Sequence, residues 1–219
     1  MSFELIVFDW DGTLMDSESR IVNCLQNAFG DLGLAPPSHA AARDVIGLGL
    51  ESAMLRLHPE ADGATLERLV ITYRRHFLEI DPTPSVLFPG ARETLDWLVE
   101  AGYRLAIATG KGRVGLDKAL AETGLDRVFH ATRCADETFS KPNPRMLVEL
   151  MDELGAAPAE TLMIGDTEYD MQMAINARTP ALAVSYGVHP PERLMRHAPL
   201  GCLETIAALP DWLERARLA

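Results

Sequence analysis

The spacing of apolar residues changes several times along the chain, and each change marks an element. Leu5-Ile6-Val7-Phe8 is an unbroken apolar run, as expected of a strand buried on both faces of a parallel sheet. After Ser17 the period becomes helical, with Ile21, Cys24, Leu25, Ala28, Phe29 and Leu32 on one stripe. Asp16 or Ser17 is the natural N-cap, Gly33 the stop, and Pro36-Pro37 a turn. Another helix is expected from about Glu51, and Leu66, Leu69, Val70, Tyr73, Phe77 and Ile80 form a stripe suited to packing between helices. Residues 17–84 therefore read as an all-helical insertion, with Pro82, Pro84 and Pro89-Gly90 marking its end.

From there strands and helices alternate. Helices are expected over 91–101, with Leu95, Leu98 and Val99 inward, and over 114–123, 144–154, 171–177 and 209–217. Strands are expected over 103–109, 128–132, 161–164 and 180–184. This alternation predicts an α/β fold, a Rossmann-like parallel sheet with helices on both faces. Residues 1–16 and 85–219 would form that core, and 17–84 an inserted all-helical cap domain.

Composition narrows the function. At 219 residues and 47% hydrophobic, the chain can build a full core. A formal charge of −12 argues against nucleic acid or an anionic membrane as partner, so an anionic substrate must be drawn in by local positive groups and metal. Cys24, Cys134 and Cys202 are widely spaced and form no metal-binding pattern, so buried reduced thiols are expected. No basic segment precedes the first strand and no apolar run approaches about 18 residues, so neither a signal peptide nor a membrane span is expected, and the location expected is cytoplasmic. Nothing in the sequence indicates the oligomeric state.

The chemistry gathers at the carboxyl ends of the strands. Asp9 and Asp11 follow the first strand at alternate positions, so both carboxylates can face one site, where open α/β sheets hold ligands. Two such anions repel unless a cation lies between them, and an oxygen-only donor set suits Mg²⁺ before Zn²⁺. Gly12 allows a sharp turn and Thr13 adds a hydroxyl. Thr109-Gly110-Lys111 ends the second expected strand, Ser140-Lys141-Pro142-Asn143-Pro144 follows the third, and Gly165-Asp166-Thr167-Glu168-Tyr169-Asp170 ends the fourth. In a parallel sheet these ends share one edge. Carboxylates for a metal, a hydroxyl, a lysine and glycine-flanked backbone are what phosphoryl transfer requires.

The opening DxDGT, the strand-end Thr, the Lys before a proline and the GDxxxD stretch occur in an order that resembles the haloacid dehalogenase superfamily over the whole chain. The insertion after the first motif resembles the helical cap of its phosphoglycolate-phosphatase-like branch. The resemblance implies Asp9 as a nucleophile that forms an aspartyl-phosphate, with Asp11 as general acid and base and as a metal ligand through its carbonyl. It implies Mg²⁺ held by Asp9, Asp11 and Asp166, with Asp170 supporting the ion's water shell. Lys141 and Thr109 are expected to be catalytic, with phosphoryl contacts from Thr109, Gly110 and the Trp10 backbone. Lys111 and Arg113 either bind substrate or simply open a solvated helix, while Glu168 and Tyr169 are expected at the surface.

Within that family the residues discriminate further. Halide leaves without a proton, so an acid at position 11 favours phosphate ester chemistry. Residues 17–84 contain no lysine, which argues against a Schiff-base phosphonatase. The segment Gly47-Leu48-Gly49-Leu50-Glu51 has no basic side chain for the second phosphate of a sugar. It offers Gly47 and Gly49 as free backbone for a short anion, with Arg20, Arg43 or Arg74 as possible cations. The expectation is a phosphatase acting on a small phosphate ester, 2-phosphoglycolate first. A sugar-phosphate phosphatase or β-phosphoglucomutase-like phosphotransferase is the alternative, and a non-catalytic phospho-receiver module a remote one.

Overall fold

The opening apolar run becomes β1 (Leu5–Phe8), all four residues of which are buried. A computed structural model of the chain describes residues 2–218. After β1 come a short strand β2 (Met15–Asp16) and the inserted helices α1 (Glu18–Asp31), α2 (His39–Asp44), α3 (Leu50–Leu57) and α4 (Gly63–Arg75). A π-helical turn, His76–Ile80, extends α4 and leads to β3 (Val86–Leu87). β3 pairs antiparallel with β2, Met15 opposite Leu87 and Asp16 opposite Val86. The chain continues through α5 (Ala91–Glu100), β4 (Arg104–Thr109), α6 (Arg113–Thr123), β5 (Ala131–Cys134), α7 (Arg145–Leu154), β6 (Thr161–Gly165), α8 (Glu168–Ala177), β7 (Ala181–Val184), α9 (Pro191–Leu194), β8 (Cys202–Leu203) and α10 (Leu209–Leu218).

The main sheet has the order β5-β4-β1-β6-β7-β8 and is parallel throughout. Phe8 lies level with Ile107 of β4 and Ile164 of β6. From β1 the strand order runs outward both ways, so its carboxyl end is the topological switch point where such sheets bind ligands. Alternate residues of β1 serve opposite layers. Ile6 and Phe8 join Leu95, Leu98, Leu116 and Leu209 in one core, while Leu5 and Val7 join Met146, Leu150, Met171 and Ala174 in the other. A third cluster forms among the inserted helices, around Val22, Leu25, Phe29, Met54 and Leu69.

Several sequence expectations shift. The strand expected over 128–132 runs instead over Ala131–Cys134, because it lies at the sheet edge against β4, which pairs from Ala106 opposite Ala131. Val128 belongs to the preceding turn. Helix α8 starts three residues before the expected 171, because Thr167 and Asp170 form a reciprocal capping box. Val99 is 46% exposed rather than inward, since Ala91, Thr94, Leu95 and Leu98 already form the buried stripe of α5. Ser17 stands at the N-cap of α1 but spends its hydroxyl elsewhere, on Asp11. Strand β8 and helix α9 had no clear period to announce them. Cys24 and Cys134 are buried, and burial pushes each thiol up to about 12. Among the described residues no helix is long and apolar enough to cross a membrane.

Candidate active site

Asp9 continues β1 by one residue, its N–H bonded to Ile164 O at 2.9 Å. Its carboxylate is buried at the switch point. Oδ1 accepts the Trp10 N–H at 2.7 Å and faces Lys141 Nζ at 2.8 Å. Oδ2 is buried with no hydrogen-bond partner. Lys141 arrives from the loop before α7 and also meets Asp170 Oδ1 at 2.7 Å. It has no exposed side-chain surface, which is rare for lysine unless it is paired. Asp170 is turned inward by its capping box, with Oδ2 accepting the Thr167 N–H and hydroxyl at 3.0 and 2.6 Å.

Asp166 completes the cluster from the end of β6. Its oxygens accept the Thr13 hydroxyl and the Val188 N–H, each at 2.8 Å. Ligand oxygens of Asp9, Asp166 and Asp170 lie within 4.8 Å of one another. Burial, then the Asp170 and Asp166 charges, push the Asp9 carboxyl well above its usual range against the pull of Lys141. Burial and the Asp170 charge lift Asp166 to about 7. For Lys141, burial alone would lower the ammonium, but Asp170 and Asp9 outweigh it and hold it above its ordinary value.

These features fit a divalent cation. Three carboxylates against one ammonium leave two formal negative charges. The donors are hard oxygens, and Asp9 Oδ2 is an orphaned acceptor in that cluster. The third carboxylate of the cluster is that of Asp170; Asp11, expected as a ligand through its backbone carbonyl, adds no side chain to it. Close approach demands glycine here: a Cβ on Gly12 (φ +87°) would fall 2.2 Å from Asp166 Oδ2.

Asp11 points away from the cluster. Its carboxylate accepts the Ser17 hydroxyl at 2.6 Å and pairs with Lys111 Nζ at 3.0 and 2.9 Å. Lys111 in turn sits 4.3 Å from the ring centroid of Phe77, on the π-helical turn. Lys111 is not a solvated helix start: its side chain is 9% exposed and bridges Asp11 to the inserted helices, within the lining of the cavity described next. Arg113 pairs with Glu137 and Asp117 and takes no part. Thr109 is buried, and its Oγ accepts the Lys111 N–H at 3.1 Å. A hydroxyl accepting in this way keeps its own proton to donate.

A cavity of about 540 Å³ lies between the inserted helices and the sheet edge. Asp11, Gly110, Lys111 and Ser140 line its floor, and Leu25, Ile46, Tyr73 and Phe77 its roof. Gly47 and Gly49 both reach it, but the Gly49 N–H is not the free donor expected of it. The Gly49 N–H donates to Ser140 Oγ at 2.8 Å. Gly110 has no room for a side chain, since its Cβ would fall 2.5 Å from Gly47 O. The glycines thus let two loops close on each other. The Trp10 N–H, expected to serve a phosphoryl group, is committed to Asp9. Arg20 bonds Phe77 O, and Arg43 bonds Glu18 and Gly187 O. Arg74 is the inserted-helix arginine that lines the cavity, with Asp136 3.8 Å away.

Three features escaped the sequence reading. Tyr169, expected at the surface, is buried and donates its hydroxyl to Asp44 O at 2.8 Å. Glu168 pairs with Arg193, which holds its carboxyl down at about 2. The loop 185–189 lies under Asp166, and nothing in its composition signalled that. Its one hint was Gly187, whose Cβ would fall 2.3 Å from Asp166 Cβ.

Known proteins resemble this chain over most of its length. The family model described as haloacid dehalogenase-like hydrolase matches residues 6–184. A protein named probable phosphatase IndB, from Dickeya dadantii, is 34% identical over 209 residues, 93% of this chain and 90% of the relative. A phosphoglycolate phosphatase from Agrobacterium fabrum is 33% identical over 192 residues, 84% of this chain and 81% of the relative. The crystal structure of a hydrolase from Pseudomonas syringae superposes with a TM-score of 0.88 at 24% identity, over 98% of this chain and 99% of the other, which shows the shared fold.

Proposed function

Because the chain belongs to the haloacid dehalogenase-like hydrolase family, we propose that it is a Mg²⁺-dependent phosphomonoester hydrolase working through an aspartyl-phosphate on Asp9. In this reading residues 1–16 and 85–219 form the catalytic core and 17–84 the cap. The observation that carries it is the buried Asp9–Lys141 pair with Asp9 Oδ2 left without a partner. Lys141 keeps Asp9 oriented while the Asp9 carboxylate attacks phosphorus and the bond to the leaving oxygen breaks. Asp11, having taken a proton from solvent as substrate entry frees it from Lys111, gives that proton to the departing alkoxide. Asp11 then takes a proton from a water, which attacks the phosphorus of the acyl phosphate and restores the Asp9 carboxylate as inorganic phosphate forms. The Thr109 hydroxyl donates to phosphoryl oxygens. Asp9 and Asp166, with the Asp11 carbonyl and with Asp170 alongside, would hold Mg²⁺, whose bound charge offsets that of the phosphoryl group.

For the substrate, the names of relatives support 2-phosphoglycolate, with Arg74 the cavity's cation for its carboxylate. The largely apolar cavity roof favours a second reading, a phosphate ester with a bulkier leaving group. Phosphate release across a panel of phosphomonoesters with Mg²⁺ tests both. Preference for 2-phosphoglycolate over hexose phosphates is expected. A tenfold preference for hexose or larger esters rejects the small acid and leaves the phosphatase in place. Return of phosphate to a second sugar hydroxyl instead of its release would favour a phosphotransferase.

A further inference from the structure

The loop between β7 and α9 touches both halves of the molecule at once. Val188 is 1% exposed, and its side chain belongs to the hydrophobic cluster of the inserted helices, with Val45, Ile46 and Met54, although the chain around it belongs to the sheet. The N–H of the same residue donates to Asp166 Oδ2 at 2.8 Å, and the next N–H, of His189, donates to Asp166 O at 3.2 Å. One residue thus has its apolar end in the cap and its polar end on a carboxylate of the acidic cluster.

The flanking residues fasten that arrangement. Arg43 of α2 donates to Gly187 O at 2.9 Å. Asp44, at the end of α2, pairs with Arg193, and its carbonyl accepts the Tyr169 hydroxyl at 2.8 Å. His189 Nδ1 accepts the Glu168 N–H at 3.0 Å, which leaves the ring proton on Nε2, 3.4 Å from Asp44 O. At the other end of the loop the Tyr186 hydroxyl donates to Thr13 O at 2.7 Å. The Tyr186 ring packs 4.6 Å from that of Phe88, just after β3, where the chain returns from the inserted helices.

We propose that Val188 is a positioning residue that couples closure of the cap to the carboxylate of Asp166. Closure gives the Val188 side chain its socket, and the backbone that follows brings an N–H to Asp166 Oδ2. Opening removes the socket, the Arg43 contact and the Asp44 contacts together, and leaves the loop free to withdraw that donor. Since the coupling is a free energy between two events, it acts both ways: cap closure tightens Mg²⁺ binding, and Mg²⁺ favours closure by the same factor. The inference rests on the reading of Asp166 as a metal-holding residue, but it needs no turnover to be tested.

The test is Mg²⁺ titration of the full chain by calorimetry, paired with amide hydrogen exchange in residues 39–50 with and without saturating Mg²⁺. Val188→Ala shortens the side chain and keeps the amide. Arg43→Ala acts from the cap, on a side chain that is 36% exposed. Both variants should bind Mg²⁺ about fivefold or more weakly than wild type. Mg²⁺ should slow exchange in 39–50 of wild type by a comparable factor, and less in each variant. A merely structural role would lower the melting temperature of Val188→Ala and leave Mg²⁺ affinity unchanged. Unchanged affinity in both variants, with faster exchange in 39–50, overturns the coupling alone. Absence of Mg²⁺ binding to wild type overturns the coupling and the metal reading together. Should Val188→Ala fail to fold, the Arg43→Ala result decides.

Discussion

Replacing Lys141 by Met is the most direct probe of what holds the acidic cluster together. The side chain is similar in length and the position is fully buried, so packing changes little. The electrostatics change greatly. Nζ sits 2.8 Å from Asp9 Oδ1 and 2.7 Å from Asp170 Oδ1, and without it three buried carboxylates share a region under 5 Å across with no cation. Breaking a buried pair by removing one partner costs about 3–5 kcal/mol, a large share of a typical domain's 5–15 kcal/mol. The loss should depend on pH. Protonation is the remaining way to relieve the repulsion, so the variant holds more protons than wild type at neutral pH. Its deficit should shrink by about 1.4 kcal/mol for each pH unit over which it holds one extra proton as pH falls from 8 to 5. Mg²⁺ at a hundredfold excess over its Kd should return about 2.7 kcal/mol. Urea unfolding followed by circular dichroism, at both pH values, in EDTA and in Mg²⁺, measures all of this. A deficit below about 1 kcal/mol at pH 8 in EDTA, or one equal at both pH values, would refute the reasoning.

Three other outcomes are expected. Asp9→Asn keeps the shape but removes the attacking charge, so turnover should fall to background while the protein stays folded and, in EDTA at pH 8, melts higher; wild-type kcat in this variant would remove Asp9 as the nucleophile. For wild type in EDTA, Asp9 and Asp166 have folded-state pKa values above the unfolded ~3.9. Their contribution to stability is therefore full below about pH 4 and is lost as pH rises through about 7 for Asp166, so Tm should fall from pH 5 to pH 8 and Mg²⁺ should abolish most of that fall; a rising Tm in EDTA would contradict the burial of these charges. Gly12→Ala places a Cβ 2.2 Å from Asp166 Oδ2 at φ +87°. The left-handed backbone alone costs about 1–2 kcal/mol, and Mg²⁺ affinity should drop as Asp166 is displaced; calorimetric Mg²⁺ binding equal to wild type would show that the carboxylate does not hold the ion.

Much of this was readable in the residues. The apolar run before Asp9 fixed a central strand, and strand-end positions alone brought Asp9, Lys141, Asp166 and Thr109 to one edge. What could not be read was direction. Asp9 and Asp11 alternate along an extended chain, yet the turn at Gly12 sends one carboxylate to Lys141 and the other to Lys111. Asp170 lies one helical turn beyond Asp166 and enters the cluster only because Thr167 caps α8 in a way that turns it inward. Tyr169 and Val188 look like ordinary residues until the inserted helices close over them. Long-range packing between segments far apart in sequence decides such cases, and no local period carries that information. For the same reason Gly47 and Gly49 suggested an open anion site and proved to be points of close contact.

The two-residue ribbon of β2 and β3 has a consequence of another kind. Asp16 and Val86 are directly paired, so the chain leaves the sheet domain and returns to it at points only about 5 Å apart. A tight two-residue turn can span that gap. The helical segment therefore joins the sheet at one seam, where it could be shortened or exchanged without re-threading the strands. A version trimmed to a hairpin at this seam should retain the strands that carry Asp9, Thr109 and Asp166 while losing the chamber roof. Chimeras built there would show how far the inserted helices decide which esters are accepted.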